Sequence, residues 1–463
     1  NIMQLIFIFI TMKRIKVIKK IKPYIQSQTA LIMNQNKLCL VDSLIPGESP
    51  TISFFGKGNC SSQQIPMCTP EPNHKLKEDL WTSAGFKLIR GNNCSAYHVA
   101  CTNKCFRRAN ASYSQAPGYF NFAFKAPLYM NLQNLKNPPI PKSFILPEDA
   151  KWLQHDMHKN PNKTYIRKPI VGSQGNGISL ISDPAQLDMS KKQIVQRYEK
   201  LVLVNGRKFD LRVYFLITSI DPLLVYVYPE GLARFATHEY EEPSAQNMGD
   251  KKMHLTNFAQ NSEHKQLVSS NYQANKMEMT LLLDYLEKHK FLFLPQVQKT
   301  ISKEYLFEQI QNTIKLALVG SYRSTLKHWV SGKHYGYYGA DIGFKEDGSP
   351  ILFEINLGPS LNVDTVLDFN LKMKMMRQAY ELVGLRTGPG DNSSSHEKEF
   401  KNWFDNSLLM EEKSALMQIV DEDLRKGDWI RLEFDDLAMG KFNKVVSRSK
   451  KLIAKEIDKR KAK

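Results

Sequence analysis

Residues Tyr338–Pro359 read YGADIGFKEDGSPILFEINLGP, two short apolar runs joined by a polar turn. Glu-Asp-Gly-Ser-Pro between two such runs is typical of a β-hairpin. Side chains two positions apart share a face of a strand, so Glu354 and Asn356 point the same way, and we expect Asp341 to lie opposite them. Carboxylate and amide oxygens without histidine or cysteine suit Mg²⁺. The alternative is a solvated hairpin that carries polar residues by chance.

The length and the charge of the chain set broad limits. Its 463 residues allow two or three domains, and 42% apolar with 24% charged residues is ordinary for a globular protein. The formal charge of +18 predicts an anionic partner, which is nucleic acid, an acidic membrane or an acidic protein. The apolar run Ile2–Ile10 precedes a basic run, the reverse of a secretory signal, and is too short to cross a bilayer. We therefore expect no transmembrane span.

The cysteines lie in the first quarter of the chain. A disulfide framework and a zinc site are both conceivable, but no pair has the C-x₂-C spacing, so we favour reduced thiols. The residues concerned are Cys39, Cys60, Cys68, Cys94, Cys101 and Cys105, and the zinc alternative would use the last three with His98.

Composition divides the chain into four predicted segments. The first is loop-rich, the second is a small α/β lobe, the third is a larger mixed α/β domain, and the last is a linker with a basic helical extension. Their boundaries are 1–72, 73–146, 147–387 and 388–463. Three helices are predicted in the third segment, at Glu148–Lys159, Glu304–Val319 and Asp364–Leu385.

A glycine-rich loop, VGSQGNG from Val171, joins two predicted strands, Thr164–Ile170 and Ile178–Ile181. Backbone N–H groups of such a loop approach phosphate without side chains in the way, and Lys168 on the first strand supplies a point charge. The loop opens no helix and lacks G-K-[ST], so it predicts neither a P-loop nor a Rossmann fingerprint. A plain glycine-rich hairpin is the alternative.

Two further strands carry polar groups. Gln193–Glu199 ends a strand at which Gln196 and main-chain groups are available to an adenine ring. On the next strand Lys208, Asp210 and Arg212 share a face, which is costly in a core unless the cations meet anions. Structural salt bridges are the alternative reading of that face.

Later elements complete the pattern. Leu224–Tyr228 and Leu232–Ala236 are predicted strands, with a turn at Pro229–Gly231 that places Arg234 at a strand edge. Lys372 lies in the middle of the last predicted helix. The tail Lys441–Lys463 holds ten Lys or Arg against two acidic residues, a net charge of +8, and we expect it to dock on an anionic surface rather than to be merely solvated.

Taken together, these segments resemble the tubulin tyrosine ligase-like family, whose fold is ATP-grasp. The resemblance runs from about Phe144 to Leu385 and rests on an ordered set of motifs, of which the longest looks most like the polyglutamylase branch. The motifs are IRKPIVGSQGNGI, VQRY, NGRKFDLRVY, DPLLVYVYPEGLARFAT, HLTN and FEINLGPSL.

The resemblance implies site residues by position. For ATP these are Lys168, Gln174, Gly175, Gln196, Arg197, Tyr198, Glu199, Lys208, Phe209, Asp210, Thr256 and Asn257. For Mg²⁺ they are Asp341, Glu354 and Asn356, for the incoming amino acid Arg234 and Lys372, and for catalysis Arg234, Lys208 and Glu354. The sequence departs from the family pattern at Asn176, where the family often has Arg or Lys, and this departure implies a weaker contact with one phosphate. It departs again at Phe258, Ala259 and Ser262, which bears on amino-acid selectivity more than on ATP binding.

The implied activity is that of an ATP- and Mg²⁺-dependent ligase that adds glutamate to the acidic C-terminal tails of tubulin through an acylphosphate. Two cations, Arg234 and Lys372, would match the two carboxylates of free L-glutamate. The alternatives are a glycylase of the same family and an inactive microtubule-binding member. The resemblance also implies a monomer at microtubules of the cytoplasm, cilium, axoneme or basal body, without nucleic acid.

Overall fold

The computed structural model describes residues 116–172, 175–256, 275–329, 333–361, 365–384 and 410–434, together with six short strands before them. These are β1 (Thr29–Asn34), β2 (Lys37–Asp42), β3 (Ile65–Cys68), β4 (Phe86–Ile89), β5 (Ala96–Tyr97) and β6 (Ser112–Tyr113). β1 and β2 are antiparallel, and β3 to β6 pair in parallel. The predicted linker and basic tail, and the side chains of the alternative zinc site, lie outside the described residues.

Eight α-helices occur in the described part of the chain. They are α1 (Phe120–Ala123), α2 (Lys125–Leu132), α3 (Ala150–Lys159), α4 (Lys251–His254), α5 (Met279–Lys288), α6 (Lys303–Leu326), α7 (Val366–Leu382) and α8 (Met410–Arg425). The three helices predicted from sequence are α3, α6 and α7. α6 extends beyond the predicted end because buried Ser321 and Thr325 continue its packed face, and the Thr325 hydroxyl donates to the Ser321 carbonyl at 2.8 Å. None of the described helices has the length and apolar character that a membrane crossing needs.

A small antiparallel sheet carries the glycine-rich loop. Its strands are β7 (Ser143–Leu146), β8 (Tyr165–Pro169), β9 (Ser179–Ile181) and β10 (Gln193–Arg197), in the order β7-β10-β8-β9. α3 covers one face through Leu153 and Met157. The strand–loop–strand prediction is confirmed: β8 and β9 pair, and Gly175 and Gly177 have φ of 76° and 72°, the left-handed conformation that favours glycine.

A large antiparallel sheet forms the centre of the molecule. Its strands are β11 (Phe209–Ile220), β12 (Leu223–Phe235), β13 (Lys276–Glu278), β15 (Gly336–Phe344), β16 (Pro350–Leu357) and β17 (Ile430–Arg431). The order is β13-β12-β11-β15-β16, with β17 paired to β12, while the short strand β14 (Lys333–His334) pairs with β6. The predicted mixed α/β class is therefore correct, with antiparallel sheets.

The large sheet is covered on both faces. Val213, Phe215 and Ile217 of β11 pack into one core with α1, α2, α5 and α6, whereas Tyr214 and Leu216 pack into a second core with α7 and α8. Burial of both faces explains why β11 reads as an almost continuous apolar run.

The turn predicted at Pro229–Gly231 is wrong, because β12 continues through it. The pairing of β11 with β12 changes register between Val213 and Phe215, so the extra residues of β12 form a bulge. A Cβ atom on Gly231 would lie 2.5 Å from the Arg212 carbonyl oxygen, which explains the glycine. Arg234 consequently lies inside the sheet, between Asp210 of β11 and Lys276 of β13, and not at an edge.

Candidate active site

The hairpin predicted at Tyr338–Pro359 is formed by β15 and β16. Asp341 pairs directly with Glu354, and the register shifts immediately afterwards. The Asn356 side-chain amide donates to Asp341 Oδ2 at 3.3 Å and to Glu354 Oε1 at 3.2 Å. The predicted convergence of these three side chains is confirmed, while their role in metal binding stays a prediction.

The donor set fits Mg²⁺ in chemistry, since two carboxylates and an amide leave room for water and substrate phosphate. Among the described residues no group of three His, Cys, Asp or Glu could hold a metal by itself, so such an ion would need the asparagine or a ligand from the substrate. Each carboxylate is paired with a cation: Arg212 donates to Asp341 at 2.6 Å, and Lys125 lies 3.0 Å from Glu354. Asn356 presents its nitrogen to both carboxylates, so coordination through its oxygen requires the amide to turn over.

An ion network extends from the hairpin across β11 to β12. Arg234 donates to Asp210 Oδ1 at 2.7 Å and its Nη2 lies 3.0 Å from Asp341, while Thr256 donates to Asp210 at 2.8 Å. Burial alone would raise the pKa of Asp341, but Arg212 and Arg234 lower it well below its usual range. The salt-bridge reading of this face is therefore correct for Asp210 and Arg212.

A cleft between the two sheets collects most of the predicted nucleotide residues. Its lining includes Lys168, Gly175, Gln196, Arg197, Tyr198, Glu199, Lys208, Phe209, Asp210, Thr256, Asp341 and Glu354, and also Lys125, Asn176 and His254. Gln174 and Asn257 lie outside the described residues, as do Phe258, Ala259 and Ser262. These lining positions come from elements that are far apart in the chain, from Lys125 in α2 to Glu354 in β16, so the fold and not local sequence brings them together.

Two of these side chains point to protein partners rather than into the cleft. The Arg197 guanidinium donates to Asp156, which also accepts from Lys142 at 2.7 Å and from Tyr165 at 2.9 Å. The Gln196 amide donates to the Ser143 hydroxyl at 2.8 Å and accepts from Tyr129 at 3.3 Å. In this structure both residues position the end of β10, and its main chain remains the feature available to a planar ring.

Lys168 and Lys208 are buried in the cleft, 7% and 6% exposed. Within the described residues neither forms an ion pair with a carboxylate, although the Lys208 ammonium lies 3.7 Å from the centre of the Tyr198 ring. Burial lowers the pKa of Lys168 to about 8 and that of Lys208 to about 7. Buried ammonium groups without carboxylate partners are costly, so the cleft is prepared for an anion.

Lys372 does not line the cleft with the other predicted residues. It is 4% exposed on α7, where it pairs with Asp368 at 2.8 Å, and Asp368 also pairs with Lys276 at 3.0 Å. Lys276 is the backbone cross-strand neighbour of Arg234, so the cluster of Lys372, Asp368 and Lys276 lies next to Arg234 in the sheet. Both predicted cations, Arg234 and Lys372, are thus paired with carboxylates in this structure, and their role toward the amino acid stays a prediction.

Sequence reasoning assigned no site role to Lys125, Arg212, Lys276 or Asp368. The sequence does point to Arg212, since it shares a strand face with Asp210. Nothing local points to Lys125 or Lys276, because their partners are distant in sequence. Lys125 pairs with Glu354, 229 positions away, and Lys276 pairs with Asp368, 92 positions away.

The site can now be compared with known proteins. The sequence model of the tubulin-tyrosine ligase family matches residues 107–396. Tubulin monoglutamylase TTLL4 of Homo sapiens is 31% identical over 376 residues, which are 74% of this chain and 30% of that protein. Tubulin polyglutamylase TTLL5 of Mus musculus is 31% identical over 333 residues, covering 67% of this chain and 24% of that protein. Tubulin polyglutamylase TTLL13 of Homo sapiens is 33% identical over 257 residues, which are 53% of this chain and 30% of that protein.

The chain thus spans less than a third of the length of these relatives. The family model, in contrast, covers more than half of the chain and includes both sheets except the short strand β17. The chain therefore belongs to the tubulin-tyrosine ligase family.

Proposed function

We propose that this chain is an ATP-dependent ligase that adds glutamate to the acidic tails of tubulin. The observation that carries the proposal is the cleft, where two buried lysines, a glycine-rich loop and an acidic hairpin lie together. A polyphosphate with its divalent cation would supply the charges that these groups lack.

We assign the fold to the ATP-grasp class. Support comes from two antiparallel sheets with a cleft between them, from the glycine-rich loop on the smaller sheet and from the acidic hairpin on the larger one. Family membership points the same way. In this arrangement the adenine would lie against the end of β10, and Lys168 and Lys208 would hold the phosphates.

Asp341, Glu354 and Asn356 are the residues that would hold Mg²⁺. When bound, the ion would neutralise charge on the phosphates during transfer. The protein would contribute positioning: Arg212 and Arg234 fix Asp341 from two sides, and Asn356 links Asp341 to Glu354.

In the proposed reaction the γ-carboxylate of the substrate takes the terminal phosphoryl group of ATP and releases ADP. The α-amino group of a free amino acid then attacks the acylphosphate, which forms an isopeptide bond and releases phosphate and a proton. Arg234, whose guanidinium pairs with Asp210 and Asp341 in this structure, would hold a carboxylate or acylphosphate through its planar, two-pronged set of donors. Lys208 and Lys168 would stabilise the negative charge that develops on the transferred group. No side-chain nucleophile is required.

Glutamate is the proposed amino acid because the relatives named above are glutamylases. Charge counting does not support the choice. Arg234 and Lys372 already pair with carboxylates in this structure, so their charges do not distinguish the two carboxylates of glutamate from the single one of glycine.

The direct test incubates the purified full chain with Mg-ATP, tubulin and radiolabelled glutamate or glycine. We expect label from glutamate and none from glycine. Label from glycine alone would establish the glycylase alternative, and no label from either would favour the inactive microtubule-binding alternative.

Nucleotide affinity should depend on pH. In the free cleft Lys208 and Lys168 lose their protons near pH 7 and 8, and a bound polyphosphate raises both pKa values, so binding takes up protons. The Kd for Mg-ATP should therefore increase by up to about tenfold per pH unit for each lysine as the pH rises from about 7 to about 9. Calorimetry in buffers of different ionisation enthalpy measures the proton uptake. A Kd that is independent of pH, or the same slope in Lys208→Met, would contradict this account.

The proposed partner of the chain is the microtubule. We propose that the chain acts as a monomeric enzyme in the cytoplasm, cilium, axoneme or basal body. The charge of +18 and the names of the relatives support an acidic tubulin tail. Nucleic acid is not required by the proposal.

Deleting Lys441–Lys463 should weaken microtubule binding severalfold and reduce its salt dependence, because fewer cations are paired on binding. Co-sedimentation with microtubules at several salt concentrations measures both effects, and transfer to a short acidic peptide serves as the control that should not change. Unaltered co-sedimentation of the truncated protein would mean that the tail is only solvated.

A further inference from the structure

Helix α2 connects the two walls of the cleft. Lys125 and Tyr129 are one helical turn apart and reach consecutive residues of β16. The Tyr129 hydroxyl donates to the Phe353 carbonyl at 2.7 Å, and the Lys125 ammonium lies 3.0 Å from Glu354 Oε2. Because the Tyr129 hydroxyl also lies 3.3 Å from Oε1 of Gln196 on β10, this one helix contacts the acidic hairpin and the small sheet together.

Lys125 makes a second contact that the proposed reaction does not use. Its ammonium donates to the carbonyl of Gly172 at 3.2 Å, at the start of the glycine-rich loop. A single cation therefore joins the loop that would cover the phosphates to a carboxylate that would hold the metal. The Lys125 side chain is 17% exposed and lines the cleft near Lys168, whose pKa it helps to lower after burial, the main cause.

We propose that Lys125 is an exchangeable counter-ion: it neutralises Glu354 in the nucleotide-free protein and moves to the terminal phosphate when a divalent cation occupies Glu354. This inference rests on the proposed function, since it assumes that Mg-ATP is the ligand of the cleft.

The exchange follows from electrostatics. A divalent cation and an ammonium group on one carboxylate would lie about 4 Å apart, a separation at which like charges in a partly buried site repel each other strongly. Lysine suits the exchange because its ammonium is a point charge on a flexible stem, which can change partners without a fixed geometry. A phosphate is the natural acceptor, because the glycine-rich loop that Lys125 already contacts through Gly172 would cover the phosphates, and the terminal one carries the most charge.

The first test measures Mn²⁺ binding to the full chain without nucleotide, by electron paramagnetic resonance of the free ion. Lys125→Met removes the competing charge from Glu354, so the Kd for Mn²⁺ should decrease by about tenfold. Lys303→Met is the matched control, because Lys303 forms an ion pair of similar length with Asp284 at 2.9 Å, away from the cleft. Unchanged or weaker Mn²⁺ binding in Lys125→Met would overturn the inference.

The second test measures the affinity for ATP and for ADP, each with Mg²⁺. A contact with the terminal phosphate predicts that Lys125→Met loses affinity for ATP by about tenfold while its affinity for ADP changes little. Lys125→Arg should keep most of the preference for ATP. Equal losses for both nucleotides would mean that Lys125 only fastens the loop, and would overturn the inference. Thermal unfolding of each variant shows whether a loss of nucleotide affinity comes from misfolding. If Lys125→Met is misfolded, the ratio of ATP to ADP affinity in Lys125→Arg tests the inference instead.

Both tests can fail separately from the proposed function. If the wild type binds Mg-ATP and differs from Lys125→Met in both tests as predicted, but transfers no glutamate, the ligase activity is refuted and the role of Lys125 stands. Wild-type protein that transfers glutamate while Lys125→Met shows neither difference would refute the role of Lys125 alone.

Discussion

Replacing Glu354 with glutamine should abolish glutamate transfer while the protein stays folded. The change keeps the shape of the side chain but removes the charge that would hold Mg²⁺, and a catalytic metal contributes several kcal/mol, so we expect kcat to fall by about a thousandfold or more. The backbone pairing of β15 with β16 does not depend on this side chain. Glutamate incorporation and thermal unfolding, measured side by side, test the two halves of the prediction.

The matched control for this variant is Glu346→Gln, in the turn of the same hairpin. Glu346 pairs with Lys200 at 3.5 Å on the surface, and both side chains are more than one-third exposed. Activity should be unchanged in this control, because surface ion pairs contribute little. Glu354→Gln protein with near wild-type activity would show that the acidic hairpin does not hold an essential metal.

Replacing Lys372 with methionine should raise the apparent KM for glutamate by about tenfold to a hundredfold and leave the affinity for ATP unchanged. The size of the effect corresponds to one lost hydrogen bond to a charged group in a buried site. Lys372 is absent from the lining of the nucleotide cleft, and it shares Asp368 with Lys276, the backbone cross-strand neighbour of Arg234. Initial rates at varied glutamate, together with direct ATP binding, separate the two ligands.

Lys374→Met provides the control on the same helix. Lys374 pairs with Asp428 at 2.8 Å, and its side chain is 64% exposed on the outside of the protein. Kinetic constants of this variant should equal those of the wild type. If Lys372→Met raises the KM for ATP as much as that for glutamate, α7 supports the whole site and does not select the amino acid.

The hairpin could be predicted from sequence because its determinants are local. Alternation of side chains places Glu354 and Asn356 on one face, and the turn fixes which residue of β15 lies opposite. The same reasoning recovered the glycine-rich loop, since Gly175 and Gly177 are the residues that a left-handed backbone favours. In each case the information lies within about 20 residues of chain.

The partners of the charged residues could not be predicted in this way. Asp368 joins Lys276, 92 positions away, to Lys372, and no periodicity relates these segments. Arg234 illustrates the consequence: treated as a residue at a strand edge it seemed available to substrate, whereas a bulge keeps it inside the sheet beside two carboxylates. Composition cannot distinguish a bulge from a turn when both use Pro and Gly.

The central claim is that the cleft couples ATP cleavage to the joining of glutamate and tubulin. The most direct measurement is the amount of ADP formed per labelled glutamate attached to the tubulin tails by the full chain. The account predicts one ADP for each glutamate, and neither product in Glu354→Gln. Attachment of glutamate without ADP formation, or ADP formation that does not depend on glutamate and tubulin, would contradict it.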